Sequence, residues 1–247
     1  MSIDPSNRTV LITGASRGIG ASTARVLAER GARIAINYRE KARRAELVAN
    51  GITDSGGDAF AVRADITDPA AVAAMTATVS ERFGKLDVLV LNASGGMERD
   101  VDPGYALRLN RDAQVALVEA CLPFMPAGAR IVFVTSHQAH FVDERPTMAA
   151  YEPVARSKRA GEDALRERIG MLRERGVDLV VVSGDMIEGT ITATLLDRAQ
   201  PGAIEARREA AGHLVTVHEF ADEVANAVTI EAESGHTIYV GGADYLP

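Results

Sequence analysis

The chain has no tryptophan, a single cysteine, and only 4% aromatic residues among 247. One cysteine excludes an intrachain disulfide and fits a reducing cytosol. Cys121 lies in an apolar helical stretch with Ala116, Leu117, Ala120 and Leu122, and reads as a small buried hydrophobe rather than a nucleophile. No apolar run approaches the length of a membrane span. The N-terminal residues, Met1 to Arg8, lack the apolar core of a signal peptide. A soluble, cytoplasmic protein with no membrane partner is expected. Basic residues are in deficit as well: 27 Lys and Arg face 34 Asp and Glu, for a net charge of −7, which argues against a nucleic-acid partner held by bulk electrostatics. Low-complexity runs and proline-rich linkers are lacking, so no domain boundary is visible and residues 1–247 read as one domain. No metal site is expected.

What is present is organised around one stretch. Val10, Leu11 and Ile12 open as a short apolar strand, and three glycines follow at Gly14, Gly18 and Gly20, with a helix expected from Ala21. Glycine permits a tight strand-to-helix turn and lets a bound pyrophosphate approach the backbone. The helix start behind it presents free N–H groups and a positive dipole end. A glycine triplet alone also suits an ordinary loop. The preceding strand, the following helix and the βα alternation to the C-terminus favour a dinucleotide site.

Strands are expected at 33–37, 59–64, 86–91, 131–135, 178–182 and 237–240. Helices are expected at 41–55, from Asp68-Pro69 to Phe83, at roughly 105–125, 153–175 and 219–230. Asp followed by Pro is an N-cap with proline at the first helical position. Residues 184–213 read as irregular or partly helical and should cover the substrate. The alternation implies an α/β fold with one doubly wound, Rossmann-like parallel sheet and helices on both faces.

The run Thr13-Gly14-Ala15-Ser16-Arg17-Gly18-Ile19-Gly20 resembles the cofactor signature of the short-chain dehydrogenase/reductase family, and later motifs extend the resemblance over nearly the whole chain. In a dinucleotide fold the end of the second strand faces the adenosine ribose, where an acid suits a 2′-hydroxyl and a nearby Arg a 2′-phosphate. Here that end is Asn37-Tyr38-Arg39, with no carboxylate until Glu40; Arg17, Lys41, Arg43 and Arg44 lie close by. Glu40 and Glu46 are interleaved, so the cluster also fits a solvated helix face. The missing acid together with Arg17 favours NADP over NAD. The resemblance further implies that Asp65-Ile66 contact adenine and that Asn92-Ala93-Ser94-Gly95 lies along the cofactor, with Leu91 and Ser94 departing from the family's Asn-Asn-Ala-Gly. It also implies that Ser183-Gly184-Asp185-Met186-Ile187 and Thr190 meet the carboxamide, with Ser183 in place of a proline.

Carbonyl reduction needs a hydride and a proton for the developing alkoxide. A phenol delivers that proton when a neighbouring cation lowers its pKa, and a hydroxyl bonded to the carbonyl oxygen stabilises the same charge. The family resemblance implies Ser, Tyr and Lys for these roles, with a helical Asn holding a proton-relay water. Ser136, Lys158 and Asn110 fall at the matching positions. Lys158 shares a helical face with Val154, Gly161, Leu165, Ile169 and Leu172, where a lysine must snorkel or be used. The family tyrosine should stand four residues before Lys158, but that residue is Val154. The nearest tyrosine, Tyr151, is seven before it, about 10 Å away along an ideal helix. With Pro153 as the first helical residue, Tyr151 lies outside the helix and its ring is free to fold back toward Lys158. His137 and His140 are alternative proton donors.

The expected function is an NADP-dependent oxidoreductase acting on a small carbonyl or alcohol, using Asn110, Ser136, Tyr151 and Lys158. The resemblance implies a homotetramer or homodimer. Arg198, Arg207 and Arg208 in the covering segment face solvent or meet an anionic handle. Two other readings remain open: a non-catalytic NADP-binding sensor or scaffold, and a redox-neutral epimerase or dehydratase.

Overall fold

The computed structural model describes residues 5–98, 102 and 104–246; residues 1–4 of the polar N-terminal segment lie outside these. Seven strands, β1 (Thr9–Ile12), β2 (Arg33–Tyr38), β3 (Asp58–Arg63), β4 (Val88–Leu91), β5 (Arg130–Ser136), β6 (Asp178–Gly184) and β7 (His236–Val240), form one parallel sheet. Their order is β3-β2-β1-β4-β5-β6-β7, so the winding reverses between β1 and β4. A crevice at the strands' carboxyl ends follows from that reversal.

The strands' two-residue period divides the core. Val10, Ile12, Ile34, Ile36, Val132 and Val180 pack against α1 (Gly18–Glu29), α2 (Ala42–Asp54) and α11 (Val217–Thr229). Leu11, Ala35, Leu89, Ile131, Phe133 and Leu179 pack on the other face against α3 (Pro69–Phe83), α5 (Ala113–Cys121) and α8 (Ile169–Glu174). Strands buried on both faces account for the near-continuous apolar runs in the sequence. Asp68 caps α3 as expected: its carboxylate accepts from Ala70 N at 2.9 Å and Ala71 N at 3.4 Å, with Pro69 at the first helical position. Among the described residues no helix is long and apolar enough to cross a membrane.

Three expected elements are corrected. The helix expected at 105–125 is segmented: α4 (Tyr105–Leu107), a π-turn at Arg108–Asp112, α5, then a 3-10 turn at Leu122–Phe124. The register slips where the Leu109 carbonyl is taken by the Gln114 side chain (3.1 Å) and the Asn110 carbonyl abuts Gly161, where a Cβ would lie 2.0 Å from the oxygen. The helix expected at 153–175 is α7 (Glu152–Arg166) and α8, parted as Arg168 N turns back to Leu165 O at 3.1 Å. Residues 184–213 are more regular than expected. They contain α9 (Ile191–Ala199), capped by the Thr190 hydroxyl on Ala193 N at 3.2 Å, and α10 (Ala203–Ala211). A short helix, α6 (His137–His140), follows β5 directly. A third apolar cluster, with Tyr151, Val154, Met186 and Leu196 among its members, joins α6, α7 and α9.

Candidate active site

A cleft of about 560 Å³ runs along the carboxyl edge of the sheet. At one end lie Gly14, Ser16, Arg17, Gly18 and Ile19. Asn37, Tyr38, Arg39, Asp65, Ile66, Asn92, Ala93 and Ser94 continue the wall, and Ser136, Tyr151, Lys158, Gly184, Ile187 and Thr190 close the other end. Nearly all the site residues expected from sequence thus share one cavity. Thr13, Gly20, Gly95 and Asn110 are absent from its wall and brace it instead.

Those braces are specific. The Thr13 hydroxyl accepts from Asn92 N and Ala93 N, both at 3.0 Å, while Asn92 Nδ2 donates to Thr13 O at 2.8 Å. This ties the glycine turn to the end of β4. Gly20 sits so close to Asn92 that a Cβ there would lie 2.6 Å from Nδ2. Gly14 has φ +63, a left-handed conformation that a side chain would strain. Asn37 is spent on backbone: its Oδ1 accepts from Gly14 N at 3.3 Å and its Nδ2 donates to Ala64 O at 3.1 Å. Asn110 clamps Gly95 and Ser157, donating from Nδ2 to Gly95 O and to Ser157 Oγ, each at 2.9 Å.

The turn's far side has the character of an anion cradle. Arg17 occupies the N-cap of α1 without a side-chain cap, so the first-turn N–H groups stay available. Arg39 and Lys41 line the same end, and Arg39 pairs with Glu40 at 3.2 Å and donates to the Tyr105 hydroxyl at 2.5 Å.

At the opposite end the Ser136 and Tyr151 hydroxyls are 3.1 Å apart. Tyr151 is the N-cap residue of α7, and α7 begins at Glu152, one residue earlier than the expected Pro153. Tyr151 therefore stands outside the helix, as anticipated, with its hydroxyl turned to Ser136. Burial pushes the phenol above its ordinary pKa, and the Ser136 hydrogen bond pulls back only in part. A phenol lowered by a neighbouring cation was expected, so this is a correction. Lys158 is 8% exposed, and burial pushes it down to about 8 against the opposing charge of Glu162 one turn on. Val154, at the family's tyrosine position, is buried outside the cleft wall. A Cβ on Gly96 would lie 3.1 Å from its Cγ2, so the 95–97 loop roofs that position.

Neither histidine lines the cleft, and both rings are engaged elsewhere. His137 is fully buried, with Nε2 donating to Gly241 O at 2.9 Å and Nδ1 accepting from the Ser183 hydroxyl at 2.8 Å. A carbonyl only accepts, which fixes that tautomer, and burial lowers the ring's pKa, with the Gly241 hydrogen bond opposing only in part. His140 binds Glu162 through Nδ1 at 2.8 Å and the Tyr239 hydroxyl through Nε2 at 3.0 Å. Both lie outside the cleft wall. Two of the covering segment's arginines are spent likewise: Arg207 Nε lies 2.8 and 2.9 Å from the Asp185 carboxylate, and its Nη atoms bind Asp244; Arg208 pairs with Glu188 at 2.7 Å, while Arg198 is exposed. Gln138, Glu98 and Tyr105 also line the cleft without having been singled out as site residues. Their own positions carry no motif, and folding alone brings them there.

The family model for short chain dehydrogenases matches residues 8–200. Versicolorin reductase 1 of Aspergillus parasiticus is 38% identical over 138 residues, which cover 53% of this chain and 53% of that protein. The 1-cyclohexenylcarbonyl-CoA reductase of Streptomyces collinus is 32% identical over 186 residues, covering 72% of this chain and 64% of that one. The matches thus span about half to two thirds of those relatives' lengths. The crystal structure of a short chain dehydrogenase from Burkholderia cenocepacia in complex with NADP superposes with a TM-score of 0.83 at 29% identity, covering 98% of this chain and all of that one.

Proposed function

Because the chain belongs to the short-chain dehydrogenase family, we propose that it catalyses NADP-linked interconversion of a carbonyl and an alcohol, with Ser136 and Tyr151 at the reacting oxygen. The observation that carries this reading is the 3.1 Å contact between those hydroxyls, at the end of a cleft that begins at the glycine turn. The residues fit the cofactor. An uncapped helix start and the close-packed Gly14 turn suit a pyrophosphate, and Arg17, Arg39 and Lys41 suit a 2′-phosphate better than a bare ribose. NADP bound to the Burkholderia neighbour supports the same choice. When bound, NADPH supplies the hydride.

The protein's own groups manage the oxygen. The Tyr151 hydroxyl gives its proton to the developing alkoxide, and the Ser136 hydroxyl donates a hydrogen bond to that charge. Burial keeps Tyr151 protonated through neutral pH, which suits the acid of carbonyl reduction better than the base of alcohol oxidation. Lys158 adds positive potential to the same end of the cleft. Met186, Ile191, Ala193 and Leu196 line the substrate side and favour an apolar carbonyl compound. One sheet covered on both faces supports reading residues 1–247 as one domain, with 184–213 over the substrate. Assembly as a homodimer or homotetramer belongs to the same reading.

NADPH oxidation over a panel of diketones and quinones tests it, with wild type and Tyr151→Phe side by side. Turnover that falls about 100-fold in the variant is the expected outcome; equal rates remove Tyr151 from the chemistry. A second reading, a non-catalytic NADP-binding protein, is favoured by the buried Val154 and the raised phenol. It requires NADPH binding with no turnover of any panel member.

A further inference from the structure

Tyr151 is the N-cap residue of α7, at φ −102 and ψ −18, and its carbonyl accepts from Ala155 N at 2.8 Å. Local hydrogen bonds fix the chain that enters the helix there. Tyr151 N and Glu152 N both donate to Met148 O, at 2.8 and 3.0 Å. Met148 N donates in turn to the side-chain Oε1 of Gln138 at 2.9 Å, and the Thr147 hydroxyl donates to Gln138 O at 3.2 Å. Gln138 belongs to α6, whose first turn is held by Ser136 Oγ accepting from Ala139 N at 3.3 Å. The circuit closes where Ser136 meets the Tyr151 hydroxyl. Residues 143–146, 149 and 150 of the intervening chain are exposed, while Val142 and Met148 pack with Tyr151 in the third apolar cluster, so the hydrogen bonds act beside that packing.

We propose that Gln138 is a positioning residue: its amide oxygen pins the Met148 turn and thereby holds the Tyr151 hydroxyl against Ser136. The inference rests on the reading of Tyr151 as the proton donor, and it explains how a tyrosine outside the α7 register is held at the cleft. Gln138 does the holding through an acceptor oxygen. Glutamate retains that acceptor, whereas leucine keeps the bulk and loses it. Misplacing a reacting group by about 1 Å costs up to 100-fold in rate.

Fluorine NMR of protein carrying fluorotyrosine reads the position of Tyr151 directly, with its resonance assigned by its loss in Tyr151→Phe. In Gln138→Leu that resonance moves toward the solvent-exposed position, and in Gln138→Glu it stays at the wild-type position. An unmoved resonance in Gln138→Leu overturns the proposal. Turnover of phenanthrenequinone with NADPH reads the consequence. Gln138→Leu lowers kcat about 10- to 100-fold with KM for NADPH unchanged, Gln138→Glu restores it, and Gln138→Leu adds nothing in the Tyr151→Phe background. An additive loss in that background also overturns the proposal. Wild-type rates in Tyr151→Phe alone sink the proton-donor reading instead, and the resonance still decides whether Gln138 does the pinning.

Discussion

Burial of Lys158 has a marked energetic consequence. Its ordinary pKa of 10.5 falls to about 8 in the folded protein because the ammonium is desolvated, with Glu162 only partly compensating. Below pH 8 the lysine is charged in both states and its burial costs about 3 kcal/mol, from the size of the shift. Between about 8 and 10.5 the unfolded chain holds the proton that the folded one has released, so stability rises with pH across that window. Urea denaturation from pH 7 to 10 therefore shows an alkaline gain in wild type. Lys158→Met is more stable at pH 7 and lacks the rise; a flat wild-type profile contradicts the burial argument. Retention of so costly a group at the cleft wall is itself an argument for its use. At this scale the sequence singled out Ser136, Lys158 and Tyr151, and the structure places all three on the cleft wall, because strand ends, spacing and side-chain chemistry are local properties. Gln138 was invisible, since its partner Met148 is ten residues away across a turn without a motif.

Among the elements, α11 depends on a side chain from the sheet. Arg130 of β5 is 3% exposed, and its Nη1 donates to three carbonyls at the helix end: Ala227 O at 3.1 Å, Val228 O at 3.3 Å and Ile230 O at 2.6 Å. Helix ends leave such carbonyls without partners, and each buried one left unpaired costs about 1–3 kcal/mol. Arg130→Met keeps the stem and removes the donors. It is expected to lower stability by about 3 kcal/mol in urea denaturation with the slope unchanged; a loss under about 0.5 kcal/mol would place the cap's work elsewhere. Element starts were legible where a cap is written in the sequence, as at Asp68-Pro69. Thr190 carries the same signal for α9, yet Gly189 and the mixed composition around it obscured the helix. The π-turn at Arg108–Asp112 had no local signal: its Asn110 carbonyl packs closely against Gly161 of α7, a contact made only by the folded chain.

For the molecule as a whole, the proposed preference for NADP rests on charge at one end of a long cleft. NADPH at about 100 times its dissociation constant adds about 2.7 kcal/mol to stability, a rise in melting temperature of roughly 5–10 °C for a protein of this size. NADH at the same concentration is expected to give a smaller rise. Arg17→Ala combined with Arg39→Ala narrows the difference, as does high salt, which screens exposed pairs. Equal shifts from the two nucleotides in wild type would remove the basis for NADP.

The sequence by itself determined the α/β class, the parallel sheet, the glycine turn and the family, because periodicity, caps and short motifs express forces acting over a few residues. Only the tertiary structure decided which of those residues face the cleft. Asn37 turned to the backbone, His137 was taken by Ser183 and Gly241, and the Tyr151 hydroxyl was directed to Ser136. Each outcome rests on a partner brought near by chain closure, over 15 to 104 residues in these four bonds, and a buried polar group takes whichever partner the fold supplies because leaving it unpaired costs more.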